Sequence, residues 1–275
     1  MEMITHLNIE TALRNHKTIL TNGFAMAPLK IANITENKEK GPLELMIMSS
    51  SPGILNGDEY QLQIAVAPNC SLRLHTQSFQ RLFNMQQGHN APGAIQKLEV
   101  DIEENAFFCY VPHPTVPHKN AVFSNFNTIK LQPTSKLIWG EIISCGRKLN
   151  GEAFQFTRIR IKTEIFIADK LVIKENLLAE PATKHPSTMG QWEGYSHQAS
   201  LIIVDDAVDI NKMKEVIIPI LQQQDDIEFG VSEPNINGLV VRLLGYKGEQ
   251  LYKCLQQIAD SVTKIIEKKI QPHVA

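Results

Sequence analysis

At 275 residues, with 27 Lys and Arg against 29 Asp and Glu and a formal net charge of −2, the chain carries no global electrostatic footprint for nucleic acid. Its 43% hydrophobic and 20% charged residues suit a soluble globular protein with a substantial core, and they exclude disordered, collagenous and disulfide-built classes. Length alone admits one large domain or two small ones.

The first ten residues contain acids and no apolar run of signal-peptide length. Nowhere do about 18 uninterrupted apolar residues occur, so the expectation is a cytoplasmic protein with no membrane association. From residue 17 to about residue 178 the chain reads as short runs of Ile, Val, Leu, Phe and Thr punctuated by Pro, Gly and Asn, which is strand grammar. Alternation of apolar and polar residues is clear over 60–66, 71–76 and 158–165. Ser51-Pro52-Gly53, Ala67-Pro68-Asn69, Gln132-Pro133-Thr134-Ser135 and Leu149-Asn150-Gly151 supply turn chemistry, the last as an Asn-Gly hairpin signal. No helical pattern interrupts this region, which predicts a β-sandwich, a barrel or a stacked β-solenoid rather than an α/β fold.

Beyond Pro181 the pattern changes. Residues 183–194 read as a connecting loop, 199–204 as a buried strand, 210–223 as a helix with Pro219 as kink or boundary, and 238–245 as another strand. Residues 250–270 form the longest expected helix. Leu251, Leu255, Ile258, Val262, Ile265 and Ile266 make one apolar stripe, suited to core packing or to docking on a partner. The basic cluster at 264–269 reads as the solvated face of that helix.

Chemistry-bearing motifs are mostly missing from the sequence. It contains no phosphate loop, no dinucleotide-binding glycine pattern and no Gly-x-Ser-x-Gly elbow. Cys70, Cys109, Cys145 and Cys254 are scattered and read as buried free thiols. Pro112-His113-Pro114-Thr115-Val116-Pro117-His118 presents two imidazoles in a rigid segment, but in an extended strand an offset of five places them on opposite faces. A polar set interrupts the most apolar part of the chain: Asp58, Glu59, Thr76-Gln77-Ser78, Glu141, Arg147, Glu152, Arg158 and Glu175. Buried carboxylates must be paired, hydrated or neutralised. A water-filled interior would hold them, and its oxygen ligands would bind a divalent ion weakly and exchangeably.

Several of these residues fall in segments that resemble the UreD/UreH urease accessory proteins. The segments are Ser51-Pro52-Gly53 through Gly57-Asp58, Thr76-Gln77-Ser78 followed by Phe83-Asn84, 112–118, and Gly238-Leu239-Val240-Val241-Arg242. The strongest is the block from Trp139-Gly140-Glu141 through Gly146-Arg147 to Gly151-Glu152, Phe154, Phe156 and Arg158. His118 departs from the pattern, standing where that family usually has Phe. The similarity spans roughly 43–255.

The resemblance implies a mainly β, solenoid-like (β-helical) fold with a few helices, the longest at the C-terminus. It implies a single domain over 1–275, with a β-rich body at about 17–180 and a mixed α/β part at about 195–270. It also implies a non-enzymatic urease maturation chaperone that binds urease apoprotein and UreF, with the GTPase UreG recruited through UreF and dimerisation within the accessory complex. Nickel(II) would be transient, with no tightly bound cofactor, and would move through a water-filled internal passage. Passage-lining candidates are then Asp58, Thr76, Ser78, Glu141 and Glu152, with His113 and His118 as further candidates for metal contact. Arg147 and Arg158 would pair carboxylates or fix a turn, and Gly146 and Gly151 would serve backbone geometry. Two other functions fit the residues: a metal-dependent hydrolase using Asp58, Glu141 or His113, and a β-solenoid binding module whose interior polar groups are satisfied by water.

Overall fold

The computed structural model describes residues 4–36, 41–85 and 92–270, with side chains to 266. The N-terminal part supplies β1 (Ile4–Arg14), β2 (Lys17–Ala25), β3 (Leu29–Asn33), β4 (Leu43–Ser49), β5 (Glu59–Val66), β6 (Ser71–Thr76) and the short β7 (Gln80–Leu82). Next come β8 (Ala94–Ile102), β9 (Phe107–Tyr110), β10 (Thr115–Pro117), β11 (Val122–Leu131) and β12 (Lys136–Ser144). A small hairpin, β13 (Gly146–Arg147) and β14 (Glu152–Ala153), leads into β15 (Arg158–Ile167) and β16 (Lys170–Ala179). The C-terminal part adds β17 (His197–Val204), α1 (Ile210–Gln222), β18 (Ile227–Ser232), β19 (Gly238–Gly245) and α2 (Gly248–Ile270).

The fold is mainly β, and its two large sheets are both open, so it is not a barrel. The first sheet has the order β16-β15-β11-β8-β5-β1-β2, parallel from β1 through β15 with an antiparallel strand at each margin. The second runs β18-β19-β17-β12-β9-β6-β4-β3, with β7 and β10 attached beside β12. It is parallel across β4, β6, β9 and β12. Apart from β7 and β10, successive strands from β4 to β12 alternate between the two sheets.

Period-two patterning decides what lies between the sheets. In β5, Tyr60, Leu62, Ile64 and Val66 are buried while the intervening residues reach solvent. They meet Leu72, Leu74, Phe108, Leu137 and Trp139 of the second sheet in one core. The second sheet is covered on its other face as well. Ile138 and Ile142 of β12 join Leu201, Leu239, Met213, Leu251, Leu255, Ile258 and Val262 in a separate core beneath α1 and α2. Strand β12 therefore has both faces buried, which explains its nearly continuous apolar run.

The expected helix at the C-terminus buries its stripe within the chain: Leu251, Leu255, Ile258, Val262 and Ile266 are fully buried. Pro219 sits inside the last turn of α1, which runs on to Gln222. Two strands lie outside the expected pattern: β1, which precedes residue 17, and β18. The 183–194 segment is a loop of turns, as anticipated, and all four cysteines are buried and free. In the 264–269 cluster, Lys264 is exposed, and the side chains of 267–269 lie outside the described residues. Among the described residues, no helix is long and apolar enough to cross a membrane.

Candidate functional site: a polar cavity between the sheets

The apolar filling between the sheets is interrupted by a cavity of about 230 Å3. Its rim is exposed at Pro52, Gln77 and Ser78, and its inner wall is built from Tyr60, Gln96, Tyr110, Asn125, Asn127, Trp139 and Glu141. That volume has room for several ordered waters. Strand alternation explains the inward polar groups. Leu137, Trp139, Glu141 and Ile143 share the inner face of β12; Phe123, Asn125, Asn127 and Ile129 share that of β11.

Glu141 is the centre of the inner wall. Its Oε1 accepts from Trp139 Nε1 at 3.0 Å, from Asn127 Nδ2 at 3.1 Å and from the Thr163 hydroxyl. Thr163 reaches it from β15, whose register sets Thr163 beside Asn127. Asn127 Nδ2 also donates to Thr163 Oγ1 at 2.8 Å. Burial pushes the Glu141 carboxyl above the ordinary carboxylate range; the three donors oppose that shift, and the charge of Glu175 adds to it. Glu175 is the neighbour of Thr163 across β15–β16 and pairs with Arg242 of β19 at 2.5 Å, so a polar row runs from Asn127 through Thr163 to the opposite margin of the sheets. A second hollow, of about 390 Å3 and lined by Trp192, Glu228 and Arg242 among others, lies at that margin.

At the mouth, Thr76 Oγ1 lies 2.9 Å from His113 Nδ1 and also accepts the His113 backbone N–H at 2.9 Å. The imidazole stacks on Tyr252 of α2 with centroids 4.1 Å apart, and burial lowers its pKa. A second polar string passes along the wall: Thr115 donates to Gln80, Gln80 to Gln96, and Gln96 to Asn125.

The UreD urease accessory protein family matches residues 4–274, essentially the whole chain. The chain belongs to this family. It is 42% identical over 257 residues to a urease accessory protein UreD of Flavobacterium johnsoniae, covering 93% of this chain and 91% of that one. It is 34% identical over 267 residues to a UreD of Haemophilus influenzae, covering 93% and 97%, and 31% identical over 254 residues to a urease accessory protein UreH of Helicobacter pylori, covering 92% of each.

Of the residues singled out by the UreD resemblance, Thr76, Ser78, His113 and Glu141 line the one cavity. The others stand apart from its lining. Asp58 closes the turn behind the rim, accepting the Leu55 N–H at 2.8 Å and the Tyr60 hydroxyl at 3.3 Å. Glu152 belongs to the β13–β14 hairpin, where Arg147 grips it with Nε at 2.9 Å and Nη2 at 2.5 Å and the Lys119 N–H donates at 3.2 Å. The Arg147 hydrogen bonds hold the Glu152 carboxyl below the usual range.

His118 is buried with its ring edge-on to Phe83 at 4.8 Å, and burial with the nearby Arg147 charge lowers its pKa. The imidazole thus sits in an aromatic contact within the chain. Arg158 is exposed at the start of β15. Gly146 adopts φ +116°, and a Cβ there would lie 2.4 Å from the Glu152 carbonyl oxygen, so the hairpin requires glycine. Gly151 caps the 3-10 turn at φ +77°, while Asn150 remains within that turn.

Sequence reasoning missed Asn127 and Thr163. The signal was present: each is a polar residue on the apolar face of its strand, Asn127 between Phe123 and Ile129, Thr163 between Ile161 and Ile165. Among the described residues, no group of three or more His, Cys, Asp or Glu is placed to hold a metal ion. Glu141 and His113 line the cavity, and Asp58 stands outside its lining. One carboxylate with amide and hydroxyl neighbours suits weak, exchangeable contact with a cation.

Proposed function

We propose that this chain acts as a non-enzymatic scaffold in urease maturation, binding urease apoprotein and UreF, with UreG recruited through UreF, and passing nickel(II) along the cavity toward the apoenzyme. Family membership places it in urease maturation; the partners, dimerisation within the accessory complex and a cytoplasmic setting follow from the resemblance. The alternation of strands between two largely parallel sheets supports reading the body as a β-helical solenoid and the chain as a single domain, with the passage running between its walls. Nickel here is cargo. It enters past Ser78, Thr76 and His113, meets Glu141, and leaves by the row of Thr163 and Glu175. Asp58 shapes the rim. Glu152 and Arg147 hold the hairpin beside it.

The observation that carries the reading is Glu141: a carboxylate deep between two sheets, fixed by three donors on one oxygen, at the wall of a cavity open at its far end. A core with no use for that charge would hold an apolar residue at lower cost. The test is Glu141→Gln, assayed for urease activation at limiting nickel and for co-purification with UreF and urease apoprotein. The expected result is lost activation with retained partners. Activation equal to the wild type would sink the passage and leave a plain binding module.

A further inference from the structure

We propose that the free edge of β16 is a docking site for an extended segment of a partner protein, a strand with apolar side chains on its inward face and acidic ones on its outward face. The inference rests on the scaffold reading for the kind of occupant and on the two sheets for its place.

The sheets end out of step at this margin. Glu175 of β16 pairs with Arg242 of β19 at 2.5 Å, so the last strand of the first sheet lies opposite β19. Strand β18 stands one strand further out, with no strand of the first sheet opposite it. Core membership agrees. Val240 of β19 joins the core between the sheets and no residue of β18 does, whereas Ile227, Phe229 and Val231 pack toward the helices. The register sets Glu228, Gly230 and Ser232 on the other face of β18, beside Leu244, Arg242 and Val240, and all three are exposed. A Cβ on Gly230 would meet no atom within 4 Å. The hollow of about 390 Å3 lies in this step, bounded by Leu177 of β16, by Glu228 and Gly230, by Arg242 and Leu244, and by Pro186 and Trp192 of the loop.

Strands are spaced by about 4.8 Å in either sheet. A strand added to β16 therefore comes to lie over β18 and fills the step. The edge is open to it: β16 pairs with β15, and among the described residues no backbone hydrogen bond from elsewhere reaches it. At ten residues, with Leu171 41% and Leu178 48% exposed, it is a long edge of the sort that proteins usually cover. Backbone pairing gives such docking its affinity, and alternate side chains give it specificity.

The two faces set which side chains fit. On the inward side, Gly230 and Ser232 leave space for large residues beside Leu177 and Leu244, which favours apolar ones. On the outward side, β15 and β16 carry Arg158, Arg160, Lys162 and Lys174 against Glu164 alone. Glu164 is shared by Lys162 at 2.7 Å and Lys174 at 3.4 Å, and Arg160 donates to the Asn176 amide oxygen at 3.4 Å rather than to a carboxylate. Excess positive charge on the strands beside the edge favours acids on the incoming one.

The test is fluorescence anisotropy of the full chain with a labelled synthetic peptide of about eight residues alternating Val and Glu, set against one alternating Val and Lys. The Glu peptide should bind about tenfold more tightly or better, and should slow amide hydrogen exchange in β16. Gly230→Trp fills the step from an exposed position, and Arg160→Glu with Lys174→Glu reverses the outward charge; each should weaken binding by about tenfold or more. No binding of the Glu peptide, equal binding of the Lys peptide, protection only outside β16, or wild-type affinity in either variant would overturn the edge. A peptide-free dimer in sedimentation with β16 already protected would assign the edge to a second copy and overturn it too. Peptide binding without co-purification of UreF or urease apoprotein would sink the scaffold and leave the edge; co-purification without peptide binding would do the reverse.

Discussion

At the scale of single residues, stability and function pull in opposite directions at Glu141. Burial raises its pKa above the ordinary 4.5, against the hydrogen bonds from Thr163, Trp139 and Asn127. A carboxyl raised in this way stabilises the fold fully below its unfolded pKa and loses that contribution as pH climbs through the folded value. Glu141→Gln, which keeps an acceptor for the three donors and discards the charge, should therefore raise the urea midpoint at pH 7 even as, under the proposed passage, it abolishes nickel delivery; an unchanged or lower midpoint would contradict the dominance of burial. His197 carries the opposite sign. Burial, with help from Lys148, lowers its pKa from 6.5 to about 4. Its contribution is complete above pH 6.5 and lost as pH falls toward 4. From pKa linkage it amounts to no more than about 3 kcal/mol, less for the partial exposure of the ring. Acid titration of stability should show this loss in the wild type, and His197→Gln should flatten it. At Gly146 the constraint is steric. Gly146→Ala forces a side chain into φ +116° against the Glu152 and Pro117 carbonyl oxygens, and strain of this kind costs about 1–3 kcal/mol, readable in the denaturant midpoint.

At the scale of elements, legibility followed how cleanly each pattern was written. Strand β5 has one unmixed apolar face, β6, β15 and helix α2 each interrupt theirs with a single threonine (Thr76, Thr163 and Thr263), and all four lie where the period placed them. Strand β1 escaped because its buried face mixes Thr5 and Thr11 with Leu7 and Ile9, which dilutes the alternation. Strand β18 is a six-residue edge strand with no fully buried residue. The site was half legible for a related reason. Glu141 is an obvious charge in an apolar run with Trp139 beside it on β12, but its partners Asn127 and Thr163 come from β11 and β15 of the other sheet, and only the pairing register and the stacking of the sheets bring them to it. Glu152 looked equivalent in sequence, and a five-residue separation from Arg147 turned it into a hairpin clamp. Helix α2 is fastened by more than its stripe: Arg73 reaches Gln256 at 2.8 Å and pairs with Asp260, and Gln256 donates to the Val111 carbonyl at 3.0 Å. Leu255, fully buried on that helix, should cost about 2–5 kcal/mol when replaced by Ala. A loss below about 1 kcal/mol in equilibrium unfolding would show that the helix is not anchored as its packing indicates.

At the scale of the whole molecule, the two cores share one wall. Leu137, Trp139 and Ile143 of β12 belong to the core between the sheets, while Ile138 and Ile142 of the same strand belong to the core under the helices. Neither layer can open without stripping one face of β12, so the helices and the distant first sheet should unfold together despite a chain length at which separate transitions are common. Both tryptophans, Trp139 and Trp192, lie in the inter-sheet core and report on it alone. Ile258→Ala weakens only the core beneath α2 and touches neither tryptophan's cluster. If β12 couples the layers, this variant should shift the tryptophan fluorescence midpoint and the far-ultraviolet circular dichroism midpoint by the same amount, with a single transition in each. A fluorescence midpoint that stays at the wild-type value while the dichroism midpoint falls would mean that the helical layer melts independently. The cavity mouth, where His113 of the sheet layer stacks on Tyr252 of α2, would then be held by a layer that can leave, and under the proposed passage nickel entry would depend on whether α2 is docked.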